Sequence, residues 1–320
     1  MRRLLAVVSL VACGALDPST PPTSITYTFA IHDFFLGDMA RDHTYASYDA
    51  WKAFGHDIDG KITDDSSTDV CTLYPGGSQV DGNGGIDNSF GAKFVQTIDT
   101  RFGPPSVTMT RAVQAGAWTL EIEVAGLSDD PAQSSYGLLA RTFEGAKLDA
   151  APAFDDSTSW PVLSSSLVDG ATIEGGATGT FPNARIDHGT FTSGAATGPV
   201  HFSLVFQGAP LGLVLHDPRI TFRRSTRTDV VDGTISGVLD LDEFIAMMHA
   251  AASHISTSLC GSAFDGLAAQ YRAAADILVD GSNASGVTCD GISVGFGFNA
   301  TLIANPTQVV QAAPLADACP

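Results

Sequence analysis

Basic residues are scarce in this sequence. It has 16 Lys and Arg against 35 Asp and Glu, which gives a formal net charge of −19. This charge repels nucleic acid phosphates and anionic lipid headgroups, so it excludes a nucleic acid as the partner. It favours hard cations such as calcium, whose preferred ligands are carboxylate oxygens. The same charge is also typical of a protein that must stay soluble in the external medium.

Familiar catalytic motifs are absent as well. The chain has no GxSxG elbow, no P-loop and no GxGxxG run after a strand. His249 and His254 are five residues apart, so they do not share a helical face as a zinc-binding pair does. Glu121 and Glu123 alternate with apolar residues, which predicts that they face solvent. A pair of catalytic carboxylates, as in glycoside hydrolases, is not excluded, because the two residues come from distant strands and their spacing in the sequence does not reveal them.

Long hydrophobic runs are missing after the N-terminus. Met1-Arg2-Arg3 precedes the apolar run Leu4–Ala12, which is too short to span a bilayer and predicts a signal peptide over residues 1–12. The run ends in Leu-Val-Ala-Cys and resembles the lipobox of bacterial lipoproteins, in which the cysteine, here Cys13, becomes acylated. The alternative is an ordinary signal peptide that is cleaved near Ala15.

Residues 13–24 are rich in Pro, Ser and Thr and predict an extended tether between the lipid and residue 25. Gly14, rather than Asp, follows the cysteine. By the sorting rule of bacterial lipoproteins, this implies the outer membrane. We therefore expect a protein of the cell envelope, attached by its N-terminal lipid to the outer membrane or the cell surface.

Four cysteines remain after Cys13, and an even number in an exported chain predicts two disulfide bonds. Three pairings are open. We favour Cys260–Cys289 within the C-terminal region and Cys71–Cys319 between residues 54–91 and the chain end. A metal site is less well supported, because no two of these cysteines have CxxC spacing.

Residues 54–91, the acidic loop, are rich in Asp and Gly. Alternating Asp, Asn and Gly supply oxygen ligands and permit the tight turns of a calcium-binding loop. The EF-hand pattern is not met, since the Gly offset differs and no Glu closes the loop. The alternative is a set of turns in which the carboxylates accept backbone N–H groups. The candidate calcium ligands are Asp57, Asp59, Asp81, Asn83 and Asp87.

The acidic loop also carries a resemblance. Its segments FGHDIDG (54–60), STDVC (67–71) and DGNGGIDNSFG (81–91) look like a recurring segment of large exported bacterial lipoproteins of uncharacterised activity. GGATGTF (175–181) and the stretches 273–277 and 289–295 resemble other parts of the same group. The resemblance implies export, lipid anchoring and a shared fold, and it carries no activity.

Alternating apolar residues predict several strands, including 24–31, 107–109, 118–124 and 292–298. Turns rich in Gly, Pro and Asp separate them. With a hydrophobic content of 44%, the chain is predicted to fold as one mainly β domain over residues 25–320. We expect an antiparallel β-sandwich, jelly-roll-like in its connections.

The period changes to that of a helix near the C-terminus. Asp240 is a predicted N-cap, and Ser262 with Asp265 predicts the start of a second helix that Gly281 ends. We therefore expect a helical hairpin over residues 241–280, packed as a cap on the sandwich.

These observations favour a surface-anchored, non-enzymatic structural or binding lipoprotein with a calcium-stabilised loop. The alternative functions are a hydrolase acting on extracellular polysaccharide and a calcium-dependent carbohydrate-binding module. Both would use carbohydrate as the partner and need exposed aromatic rings. Burial of Trp51, Trp118 and Trp160 would weaken both alternatives.

Overall fold

The computed structural model describes residues 25–44, 48–170, 172–206, 209–313 and 319. The predicted signal peptide (1–12), the tether (13–24) and the acylation site Cys13 lie outside these residues and stay predictions. Within the described ranges, no helix is both long enough and apolar enough to cross a bilayer.

The described chain is mainly β-structure, with four short α-helices. The strands are β1 (Ile25–Phe35), β2 (Thr119–Leu127), β3 (Ser135–Gly145), β4 (Val162–Leu163), β5 (Gly179–Asp187), β6 (Thr190–Thr192), β7 (Val200–Phe206), β8 (Ala209–Arg224), β9 (Asp229–Asp240), β10 (Gly291–Ile303) and β11 (Val309–Val310). The helices are α1 (Gln96–Phe102), α2 (Pro105–Gln114), α3 (Leu241–Ile255) and α4 (Ser262–Arg272). A π-helical segment, Phe90–Val95, runs directly into α1.

Eight strands close into an antiparallel barrel. Their order is β3-β2-β1-β10-β9-β8-β6-β5, and β5 pairs again with β3, which places Thr142 opposite Gly179. The predicted jelly-roll-like sandwich is therefore wrong. Alternation of apolar residues is the same in a sandwich and in a barrel, and only the β3–β5 pairing closes the sheet. Strand β7 adds to β8 outside this ring, and β4 and β11 extend from β3.

Alternate residues of all eight barrel strands belong to one large core cluster. The inward-facing residues of β10 show the pattern clearly, because Ile292, Val294, Phe296 and Phe298 are each no more than 1% exposed. The barrel interior is thus filled by side chains, as expected for a barrel of eight strands.

The C-terminal helices differ from the predicted hairpin over 241–280. Helix α3 begins as expected, since the Asp240 side chain accepts hydrogen bonds from the backbone N–H groups of the next turn. Helix α4, however, ends at Arg272. Asp276 then accepts hydrogen bonds from Ser293 on β10, and Ile277 forms a β-bridge with Gly291. No C-terminal helical hairpin is evident in the described residues, because this strand contact ends the helix early.

Two further local predictions are wrong. Residues 107–109 belong to α2 rather than to a strand, and Pro105 in its first turn suits a helix start. Glu121 and Glu123 are buried, at 0% and 6% exposure. The segment after β3 covers this outer face of β2: a Cβ atom at Gly145 would lie 3.2 Å from a carboxylate oxygen of Glu121 and 3.3 Å from the ring of Trp160. The alternation of apolar and polar residues shows that the glutamates share one face of β2, but it does not show whether solvent or another segment covers that face.

Both predicted disulfide bonds are present, but the favoured pairing is wrong. The bonds join Cys71 to Cys289 and Cys260 to Cys319. The acidic loop forms a parallel β-bridge with the segment before β10, and the N–H of Cys289 donates to the carbonyl of Thr72 at 3.0 Å. This contact places Cys71 beside Cys289 and leaves Cys260 for the chain end.

Candidate metal centre

The acidic loop lies against the outer face of β10. The inward residues of this strand alternate with Ser293, Gly295 and Gly297 on the outer face. A Cβ atom at Gly295 would lie 2.4 Å from the carbonyl oxygen of Phe54, and one at Gly297 would lie 2.4 Å from its ring. The small outer residues of β10 therefore allow the acidic loop to contact the strand backbone directly.

Asn88 fixes both ends of the acidic loop to β10. Its side-chain amide donates to the carbonyl oxygens of Trp51, Phe54 and Gly295, at 3.2, 2.9 and 2.9 Å. Its side-chain oxygen accepts from the N–H groups of Gly91 and Gly295 at 2.9 and 3.0 Å. One buried side chain thus satisfies five backbone groups and holds the loop in a single position.

Three of the predicted calcium ligands come together. Asp57, Asp59 and Asp87 each offer a carboxylate oxygen, and these oxygens lie within 4.8 Å of one another. Asp87 is 3% exposed and accepts a hydrogen bond from the N–H of Ile58 at 2.6 Å. The Asp57 carboxylate packs against Gly85, where a Cβ would lie 3.4 Å from its Cγ. The glycine therefore leaves room beside the three carboxylates.

The cluster carries negative charge that the protein does not neutralise. Burial, followed by the charges of Asp276 and Asp59, raises the pKa of Asp87 to about 8. Burial likewise raises the pKa of Asp276 to about 6. Within the described ranges, no Lys, Arg or His forms an ion pair with a carboxylate of the three-residue cluster. The guanidinium of Arg219 donates instead to the backbone carbonyls of Asp57 and Ile58.

The other two predicted ligands lie outside the cluster. Asp81 accepts hydrogen bonds from the N–H and the hydroxyl of Thr63, although its charge contributes to the raised pKa of Asp87. Asn83 is exposed, and its backbone N–H donates to the carbonyl of Lys52. The hydrogen bonds of Asp81 are those expected for the alternative of Asx-rich turns.

Sequence reasoning missed two residues beside the cluster. Asp276 is buried, and its charge helps to raise the pKa of Asp87. The amide of Asn283 donates to Asp59 at 2.9 Å, and its oxygen accepts from the N–H of Cys71 at 2.6 Å. An Asp inside the apolar stretch 273–277 was the available signal for Asp276, because such a position is seldom acidic without a buried partner.

A second polar group lies in a groove of about 480 Å³ between β7, β8 and α3. The hydroxyls of Ser165 and Ser203 donate to the carboxylate of Glu144. His201 also lines the groove, and burial lowers its pKa. Within the described chain, no hydrogen bond joins His201 to Ser203, whose hydroxyl donates to Glu144 instead.

The three tryptophans are buried. Trp51, Trp118 and Trp160 are 7%, 3% and 0% exposed. None therefore presents a ring face on which a sugar could stack.

Comparison with known proteins adds no assignment. No family model matches the chain, and neither the curated proteins nor the solved structures give a match. The resemblance to exported lipoproteins therefore stays a prediction. Function has to be argued from the site itself, since fold class alone does not imply an activity.

Proposed function

We propose that this protein is a non-enzymatic, lipid-anchored protein of the bacterial cell envelope, and that calcium stiffens its acidic loop. Its role is structural or binding, at the outer membrane or the cell surface. The observation that carries the calcium proposal is that carboxylate oxygens of Asp57, Asp59 and Asp87 lie within 4.8 Å of one another, with no ion pair to a basic side chain among the residues that the structure describes. The lipid anchor rests on the lipobox-like sequence that ends at Cys13.

Calcium suits the cluster chemically. The ion takes six to eight oxygen ligands, including carboxylates, backbone carbonyls and water, with tolerance of irregular geometry. Asp57, Asp59 and Asp87 would supply the carboxylates. A bound cation favours the ionised form of Asp87, so it would offset the burial that now raises the pKa of this residue. Calcium would thereby remove an electrostatic cost from the fold.

Thermal unfolding tests this proposal. The oxidised protein is unfolded in chelator and again in millimolar calcium. Binding to the native state alone raises the free energy of unfolding by about 2.7 kcal/mol when calcium exceeds its dissociation constant a hundredfold. Magnesium should stabilise less, because it is smaller and gives up its water reluctantly.

The matched variants are Asp87→Asn and Asp156→Asn, which remove one negative charge inside and outside the cluster. Asp156 is exposed, and it lies in the turn-rich segment after β3. We expect Asp87→Asn to lose the calcium response and Asp156→Asn to keep it. A wild-type protein that calcium does not stabilise, or a response that survives in Asp87→Asn, would leave the acidic loop as a set of Asx turns.

The alternative functions have less support. A polysaccharide-acting hydrolase or a calcium-dependent carbohydrate-binding module would need an aromatic platform for sugar rings, and Trp51, Trp118 and Trp160 are all buried. Exposed aromatic rings are present at Tyr48 and Tyr136, which are 73% and 75% exposed, but the burial of all three tryptophans weakens both carbohydrate functions.

A further inference from the structure

An apolar cleft lies between the segment Phe90–Phe102 and the helices α3 and α4. We name it the aromatic cleft; its volume is about 260 Å³. Its walls include Phe94, Phe244, Met248, Phe264, Leu267 and Tyr271. The cleft opens to solvent on the outside of the barrel, where Phe102 is 49% exposed. It borders the barrel core at Ile292 and the acidic loop at Phe90, and it lies away from the cluster of Asp57, Asp59 and Asp87.

The walls of the aromatic cleft are held in place by contacts between rings. The centroid of Phe94 lies 5.4 Å from that of Phe244 and 5.8 Å from that of Tyr271. Phe244 and Tyr271 are 5.3 Å apart, and Phe264 meets Tyr271 at 6.4 Å. These edge and tilted contacts join three separate elements, so the cleft exists before any ligand arrives.

The charge at the cleft differs from that of the whole protein. The lining contains Lys93 and Arg101 and no carboxylate, although the chain carries a net charge of −19. Lys93 is already engaged, because its ammonium donates to the carbonyls of Ser78 and Ala273 at 3.1 and 2.7 Å. Arg101 forms no hydrogen bond or ion pair within the described residues.

Tyr271 adds a neutral donor next to Arg101. Burial raises the pKa of the Tyr271 hydroxyl to about 12, partly offset by the charge of Arg101. The phenol is thus protonated at physiological pH, and its hydroxyl forms no hydrogen bond within the part of the chain that the structure describes. A guanidinium and a hydroxyl are suitable donors for one carboxylate.

We propose that the aromatic cleft binds a single-chain anionic amphiphile of the fatty-acid class, with its hydrocarbon chain between α1, α3 and α4 and its carboxylate at Arg101. The size of the cleft favours a single hydrocarbon chain. A cavity of about 150 Å³ accepts benzene, which has six carbons, so a cleft of about 260 Å³ has room for about ten carbons. A bilayer surface fits less well, because the site is concave and the acidic protein repels anionic lipid surfaces.

Isothermal titration of the purified, oxidised protein tests the proposal with hexanoate, octanoate, decanoate and neutral decanol. Each methylene buried in the cleft should raise the affinity about fourfold, up to about ten carbons. Decanoate should bind about tenfold more tightly than decanol, because only the carboxylate pairs with Arg101. An affinity independent of chain length, or equal binding of decanol and decanoate, would overturn the assignment.

Two matched pairs of variants locate the site. Thr97 lines the cleft and Thr100 does not, yet both are exposed residues of α1 whose hydroxyls donate to the carbonyl four residues earlier. Thr97→Trp should therefore fill the cleft and abolish decanoate binding, whereas Thr100→Trp should leave it intact. Binding that persists in Thr97→Trp would place the ligand elsewhere and overturn the proposal.

The second pair concerns charge. Arg101 and Arg111 are exposed residues in the last turns of α1 and α2, and only Arg101 lines the cleft. Arg101→Gln should weaken decanoate about tenfold and leave decanol unchanged, whereas Arg111→Gln should change neither. If the protein instead bound only phosphatidylglycerol-containing vesicles and not monomeric decanoate, the cleft would be a membrane contact and the proposal would be wrong.

Discussion

The acidic loop and the aromatic cleft meet at Phe90, and different forces hold them. On the loop side, Asn88 joins five backbone groups through hydrogen bonds of defined direction. On the cleft side, Phe90 starts a chain of ring contacts, the first to Phe94 at a centroid distance of 4.8 Å. Hydrogen bonds concentrate stability in a few atoms, whereas dispersion contacts spread it over many. The loop should therefore be sensitive to single changes and the cleft tolerant of them.

Removal of the two disulfide bonds should give the largest losses of stability, and the difference between these losses tests the comparison. Cys71–Cys289 joins the acidic loop to the segment before β10, with a sequence separation of 218 residues. Cys260–Cys319 lies beside the cleft, with a sequence separation of 59 residues. Chain entropy predicts losses of about 5 kcal/mol for Cys71→Ala/Cys289→Ala and about 4 kcal/mol for Cys260→Ala/Cys319→Ala. Guanidinium unfolding of both double variants measures the difference. A larger loss on the cleft side would contradict the view that the loop depends more on fixed links.

Asn88→Ala tests the directional bonds. The alanine would leave the carbonyls of Trp51, Phe54 and Gly295 buried without this donor, so we expect the free energy of unfolding to fall by at least about 3 kcal/mol. Asn83→Ala is the control in the same loop, because the Asn83 side chain is exposed, and it should change stability by less than about 0.5 kcal/mol. Urea unfolding measures both losses. If Asn88→Ala lost as little stability as Asn83→Ala, the acidic loop would not depend on the directional hydrogen bonds of Asn88.

Measured over a single pH unit, the pH dependence of stability gives the smallest effect. In chelator, the folded protein holds a proton on Asp87, whose pKa is about 8, while the unfolded chain has released it above about pH 4. The free energy of unfolding should therefore fall as the pH rises from about 4 towards 8. The contribution of Asp87 is about 1 kcal/mol between pH 6 and 7. Tyr271 in the cleft contributes no change in this range, because its pKa is about 12.

Asp87→Asn isolates this contribution. Burial also raises the pKa of Asp276 and Glu121, and both carboxyls remain in the variant. The difference between wild type and Asp87→Asn in chelator should therefore grow by about 1 kcal/mol per pH unit in favour of the variant. Parallel curves for the two proteins would show that Asp87 does not hold its proton in the native state.

Part of the candidate site was accessible from the sequence. Alternating Asp and Gly indicated a carboxylate-rich loop, and three of the five predicted ligands do converge, Asp57, Asp59 and Asp87. The sequence did not show that Asp81 and Asn83 lie outside the cluster. Residue type alone does not reveal whether a side-chain oxygen accepts a hydrogen bond from a local backbone N–H or points to a shared centre. The cleft was missed because Phe244, Phe264 and Tyr271 follow the helical period of ordinary core residues.

The sequence by itself determined the local structure: the alternation that forms β1, β2 and β10, the cap at Asp240 that starts α3, and the presence of two disulfide bonds. Those features depend on neighbours within a few residues or on composition. Only the tertiary structure decided the barrel closure between β3 and β5, the cysteine pairing, the burial of Glu121 and the end of α4 at Arg272. Each of these depends on which distant segment covers a given face, and a local periodicity reports that a face exists without identifying its partner.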